Sequence, residues 1–216
     1  MNQMDSNYLS LAGSRGRAPG LSTGFRRPDL HLCMSFLLLS LLLTGCASSP
    51  PPRIYLLATQ ADPGENIMPD TTAPTLQVQP ILIPDYLDTT DLLLRIGPHE
   101  VHASTTGQWG ERLSAGIVHA LRADLAARLP RDRVTLGPPI DGAAQQILVT
   151  VDALDMWPDG RCVLIAHWHT GKRRGQGVFK NTADVNASDE VRVANLAGLI
   201  AQLAARIGES QIDGRS

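Results

Sequence analysis

An apolar run near the start, Leu32 to Leu43 (LCMSFLLLSLLL), closed by Thr44, Gly45 and Cys46, constrains this chain more than any other feature. Twelve residues in a helix reach about 18 Å, against about 30 Å of bilayer hydrocarbon. The run is too short to span a membrane and has the length of a signal-peptide apolar region. Arg26 and Arg27 lie just before it and supply positive charge. Residues 1–45 are therefore expected to be an export signal. The segment before the run is long and includes a Gly/Arg/Pro stretch from Gly13 to Pro28. Met34 is not the start, because beginning there leaves no basic residue; the length points to an overcalled start codon, with a long n-region as the alternative.

Leu43-Thr44-Gly45-Cys46 resembles the bacterial lipobox, in which a branched apolar residue and two small residues precede cysteine. The small side chains let a membrane-embedded peptidase reach the bond before Cys46. The thiol accepts a diacylglyceryl group, and the pattern implies acylation of the new amino group. One acyl chain binds membranes marginally, whereas two or more anchor stably. Residue 47 is Ala rather than Asp. Under the sorting rule of enteric bacteria this implies the periplasmic face of the outer membrane. Residues 46–52 then form a lipidated cysteine and a semi-rigid tether, with Pro50, Pro51 and Pro52 lifting the domain off the lipid.

Residues 53–216 are long enough for one domain with its own core. Aromatic residues are only 4%, so that core must be built from Leu, Ile, Val and Ala. A net charge of −2 gives no general attraction to nucleic acid. Cys33 leaves with the signal, so Cys162 has no intrachain disulfide partner and reads as a small buried hydrophobe.

Short strands are expected over 53–58, 75–83 (interrupted at Pro80), 91–96 and 99–104, the last two forming a hairpin through Gly97-Pro98. Leu113, Ile117, Leu121 and Leu125 recur at i+4 and predict a helix over 109–129, stopped by Pro130. Strands follow over 134–136, 146–154, 161–169 and 176–180. Ser188 is a good N-cap, with Asp189 and Glu190 in the first turn. The helix it opens carries Leu196, Leu199, Ile200, Leu203 and Ile207 on one face and is expected to end at Gly208. The order predicts an α+β domain: a mostly antiparallel sheet with two main helices packed on one face.

No nucleotide-binding, nucleophile-elbow or zinc-protease motif occurs. Gly171-Lys172-Arg173-Arg174-Gly175-Gln176-Gly177 superficially suggests phosphate cradling, but no helix pattern follows it, and a solvated basic turn is the favoured reading. His167 and His169 share a strand face at a spacing able to bind a metal, with only His99, His102 or His119 as candidate third ligands. Strand histidines more often make polar contacts, and no metal or other cofactor is expected. Asp152, Asp155 and Asp159 near Trp157 could be imagined as catalytic carboxylates, but Asp155 and Asp159 flank a Pro-Asp-Gly turn, where Asp is favoured for backbone hydrogen bonding. No enzyme is expected.

Several segments together resemble one family. They are Tyr55-Leu56-Leu57, Val78-Gln79-Pro80-Ile81-Leu82-Ile83-Pro84-Asp85-Tyr86-Leu87-Asp88, Leu92 to Arg95, Trp109 with Leu113, Val151 to Asp155, and Ala166-His167-Trp168. This set is similar to the ABC-type transport auxiliary lipoproteins of the PqiC type, over about 150 residues by segment matching. The resemblance implies a non-enzymatic subunit that partners the tunnel-forming MCE protein of an ABC-type transporter and moves lipid or hydrophobic solutes between membranes. Under that resemblance, Pro84, Asp85, Tyr86, Leu87 and Asp88 are the expected partner contact, beside the alternative of a turn packed for the fold alone. Self-association into a homo-oligomer is left open. Two rivals are a free-standing lipid- or ligand-binding lipoprotein, which a large apolar cavity would favour, and an assembly or pilot lipoprotein of an envelope machine.

Overall fold

A computed structural model describes Met34 and residues 50–58, 73–138, 144–171, 173–181 and 187–212. The chain divides into the units Met1–Ser49 and Pro50–Ser216, and all the elements below belong to the second. In order they are β1 (Arg53–Tyr55), β2 (Thr75–Val78), a 3-10 turn (Asp85–Leu87), β3 (Asp91–Gly97), β4 (Glu100–Trp109), α1 (Leu113–Arg128), β5 (Arg133–Thr135), β6 (Ala144–Met156), β7 (Cys162–Thr170), β8 (Arg173–Asn181) and α2 (Asp189–Ile212).

The domain is α+β, and both sheets are mixed. A three-stranded sheet runs β1-β4-β3, with β1 parallel and β3 antiparallel to β4. A five-stranded sheet runs β5-β2-β6-β7-β8, parallel through its first three strands and antiparallel through β6-β7-β8. The long hairpins supply the expected antiparallel part. The parallel part comes from short segments, β1, β2 and β5, whose partners lie far away in sequence.

Alternation along the long strands makes one face of the larger sheet apolar. Ile147, Val149 and Val151 of β6 and Leu164, Ala166 and Trp168 of β7 are buried. A bulge between Val151 and Ala153 shifts the phase, so that Leu154 and Met156 also point inward. α2 covers this face over β7 and β8 and packs on α1, which reaches β5. All four residues of the predicted α1 stripe and all five of the predicted α2 stripe are buried.

Boundaries shift for identifiable reasons. Trp109 ends β4 rather than opening α1, because its N–H donates to Thr90 O (2.8 Å) and that of Gly110 donates to Tyr55 O (2.8 Å). β2 stops at Val78, before Pro80. The chain then returns to β6 at Leu82, which accepts from Val151 N–H and donates to Val149 O. α2 runs through the expected stop at Gly208, which is buried. Its last turn is held by Gln211, whose amide N–H donates to Thr170 Oγ1 (2.8 Å) and whose oxygen accepts from Gln145 (2.9 Å).

One buried carboxylate ties the smaller sheet to α2. Ser104 and Thr106 of β4 each donate to Asp189 Oδ2 at 2.6 Å, and Arg192 donates to Oδ1 at 2.6 Å. Ser188 caps the same turn, accepting from Val191 N–H at 3.4 Å. Burial works to raise the Asp189 carboxyl, but the bonds from Ser104, Thr106 and Arg192 outweigh it and hold the group below its ordinary value. The unfolded chain therefore binds the proton more readily, and this stabilisation is lost as pH falls. The stability gap between the natural protein and Asp189→Asn, measured by urea unfolding, should be full at neutral pH and shrink below the ordinary aspartate value of 3.8. A gap that persisted unchanged into the acid range would contradict the assignment.

Candidate functional site

The segment Pro84 to Asp88 divides into two halves with different work. Leu87 N–H donates to Pro84 O at 2.9 Å and Asp88 N–H to Asp85 O at 3.2 Å, closing the 3-10 turn. Leu87 points into the core at 5% exposure. Asp88 reaches across to the start of α1, where no local residue provides a side-chain cap. Its Oδ1 accepts from Ser114 N–H at 3.2 Å, and Arg112 donates to its carbonyl (2.6 Å) and to Oδ2 (3.2 Å). Burial pushes the Asp88 carboxyl up, while the bonds from Ser114 and Arg112 bring it below its ordinary value. Asp88 is thus a remote helix cap, supplied from 26 residues upstream of Ser114.

Asp85 and Tyr86 face the other way. Both are exposed, Tyr86 at 49%. Tyr86 also interacts with Arg95, whose guanidinium is raised first by its hydrogen bond to Asp155, against the opposing effect of burial. The Arg95 Nε to Asp155 Oδ1 distance is 2.5 Å, and Arg95 also donates to Pro98 O at 3.2 Å. Asp155 therefore joins β6 to β3 instead of serving the turn that follows. Sequence reasoning missed this cluster because Arg95 and Asp155 lie 60 residues apart with no motif between them.

The other candidate residues separate into local contacts. Asp152 pairs with His167 at 3.0 Å, His102 with Glu100 at 2.9 Å and His119 with Glu111 at 3.1 Å. Among the described residues, no group of three His, Cys, Asp or Glu side chains could hold a metal. Asp159 accepts from the backbone N–H and the Nε of Arg161, closing the β6–β7 turn at Gly160, where φ is 78°. Cys162 is buried, and burial, followed by the charge of Asp155, pushes its thiol up to about 12.

The basic glycine-rich segment has a packing explanation. Arg173 and Arg174 are already in β8, paired with Thr170 and His169 of β7, and the chain leaves β7 at Gly171, where φ is 59°. Arg173 donates to Ser210 O in the last turn of α2. A Cβ at Gly175 would lie 2.3 Å from the Trp168 ring, and one at Gly177 would lie 2.7 Å from Phe179. The glycines clear space for aromatic rings lying across the outermost strand.

Two spaces border these elements. One is a small cavity of about 10 Å³ against Leu87, Trp109, Leu113 and Met156, large enough for about one water. The other is an open groove of about 640 Å³ between β8 and α2, with mixed polar and apolar walls. The lipobox residues Leu43, Thr44, Gly45 and Cys46 lie outside the described residues.

Comparison with known proteins gives the class: an auxiliary component of a transport system, not an enzyme family. Residues 55–208 match the model of the ABC-type transport auxiliary lipoprotein component, and the chain belongs to that family. No curated protein matches the sequence. One crystal structure, of an uncharacterized protein, is similar in fold at 20% identity and a TM-score of 0.60, over 74% of this chain and 99% of the other. A Xanthomonas campestris protein of family DUF330 matches at 11% identity and TM-score 0.49, over 68% and 94%. A PelC dodecamer from Paraburkholderia phytofirmans matches at 12% and 0.35, over 62% and 89%. Among the described residues, no helix is long and apolar enough to cross a membrane.

The divided role of the Pro84–Asp88 segment is directly testable. Asp88→Ala should cost about 1 kcal/mol in chemical denaturation through loss of the cap. Asp88→Asn should recover most of that loss, and Tyr86→Ala should leave stability nearly unchanged. Equal losses for Asp88→Ala and Tyr86→Ala would contradict the division.

Proposed function

We propose that this protein is a non-enzymatic lipoprotein, anchored through Cys46 to the periplasmic face of the outer membrane. There it helps dock an MCE-domain subunit of an ABC-type transporter that moves lipid or hydrophobic solutes between membranes. The observation that carries the reading is the family match over 55–208 directly behind a lipobox-like Leu43-Thr44-Gly45-Cys46. An export signal over 1–45 and a tether over 46–52 put the acyl chains just before the first strand of a single domain.

The domain's chemistry supports a docking role. Asp88, Asp155, Asp159 and Asp189 are engaged in caps, turns and ties between elements, and Asp152, His102, His119 and His167 in pairs within the fold. The enclosed cavity is far below the volume of an acyl chain. The larger groove between β8 and α2 is open to solvent, with largely polar walls. Neither is the large apolar cavity that would favour a free-standing lipid carrier over a docking subunit. Asp85 and Tyr86, exposed on a turn whose other half is fixed in the core and on α1, form the contact we assign to the partner. A rigid turn presenting an aromatic side chain suits an interface anchor, because little conformational freedom is lost on binding.

Purification of the tagged, lipidated protein from detergent-solubilised envelopes should bring down an MCE protein. The double substitution Asp85→Ala/Tyr86→Ala should reduce that recovery about tenfold, the effect of losing a side chain worth over 1 kcal/mol at an interface. Consistently empty purifications of the natural protein would overturn the docking role. Undiminished recovery with the double variant would move the contact elsewhere.

A further inference from the structure

The start of the folded domain carries an apolar ridge that neither the core nor the assigned partner contact uses. Ile54 is 66% exposed and Leu56 is 61% exposed. Tyr55 between them packs against the core, and Leu57 after them is buried, so alternation sets Ile54 and Leu56 on one outward face. The two side chains lie together. A Cβ at Gly110 would be 2.8 Å from Leu56 Cδ2 and 3.0 Å from Ile54 Cγ2, so both rest over bare backbone at that glycine. β1 is an outer strand of its sheet, and the exposed Arg53 precedes the ridge.

Single exposed apolar residues are ordinary on protein surfaces. This pair differs by its position along the chain. Ile54 lies eight residues after Cys46, and an extended chain gains at most about 3.6 Å per residue, which keeps Ile54 within about 29 Å of the lipidated end. At that range the local concentration of bilayer is high. A contact too weak to recruit a free protein then suffices to orient a tethered one.

We propose that Arg53, Ile54 and Leu56 form a lipid-facing edge that seats the domain on the bilayer carrying its own anchor. Ile54 and Leu56 enter the boundary between headgroups and acyl chains, and the Arg53 guanidinium meets lipid phosphate. The inference rests on the reading of Cys46 as the lipidated residue. It makes the tether a short leash as well as a spacer.

The test uses the full lipidated protein in phosphatidylethanolamine/phosphatidylglycerol vesicles, with a polarity-sensitive fluorophore attached at Leu56→Cys. A second sample carries it at Val178→Cys, on β8, where the natural side chain is 57% exposed. The buried Cys162 thiol stays unlabelled. The vesicles should float with the protein, and the Leu56→Cys probe should shift to the blue and be quenched by nitroxide lipids while the Val178→Cys probe is not. Flotation with both probes in a water-like environment overturns the ridge and leaves the anchor standing. Protein that does not float overturns the anchor and the ridge together. Equal quenching at both positions shows non-specific adsorption and refutes an oriented edge. A blue shift without nitroxide quenching shows a protein neighbour, a second copy or a partner, and likewise overturns the inference.

Discussion

The domain depends on burying one face of the β6-β7-β8 hairpins beneath α2. Ile147, Val149, Leu164, Ala166, Trp168 and Phe179 share one buried cluster with Leu196, Leu199, Ile200, Leu203 and Ile207, and these side chains make up a large share of the core. Aromatic residues are scarce, so Trp168 and Phe179 must cover a wide area at the sheet's outer strand. They do so by lying across Gly175 and Gly177. The apparent phosphate-cradling motif is therefore a consequence of how this face is closed.

The remaining parts are fastened to that layer by a few polar links that each join segments remote in sequence. Asp189 ties β4 to the start of α2, Asp88 ties the 3-10 turn to the start of α1, and Asp155 ties β6 to β3 through Arg95. Arg192 and Asn195 hold the β6–β7 turn against α2 through the carbonyls of Trp157, Pro158 and Gly160. Partly buried carboxylates with several donors are worth more than surface pairs, because little water competes for them. The aspartates of this domain mostly do structural work.

The sequence made the helices and the long strands legible because their apolar periodicity is local. Both helix stripes, the long hairpins and the placement of Cys162 follow from residues a few positions apart. The parallel pairings of β1, β2 and β5 were not legible, since each is three or four residues long and its partner is chosen by tertiary packing. The end of α2 was misplaced because Gly208 is a stop signal only where the next turn has nothing to hold it. Within the candidate contact, periodicity could not tell Leu87 and Asp88, which serve the fold, from Asp85 and Tyr86, which face solvent. That distinction depends on α1 lying alongside, with its first turn lacking a local cap.

A core closed by hairpins and helix leaves Asp85 and Tyr86, the exposed half of the Pro84–Asp88 turn, on chain that the core does not need. Mass spectrometry of the mature protein's N-terminal peptide tests the central claim most directly. The account predicts a peptide beginning at Cys46 that carries a thioether-linked diacylglyceryl group and an amide-linked acyl chain. An unmodified peptide, or one beginning anywhere else, would contradict it.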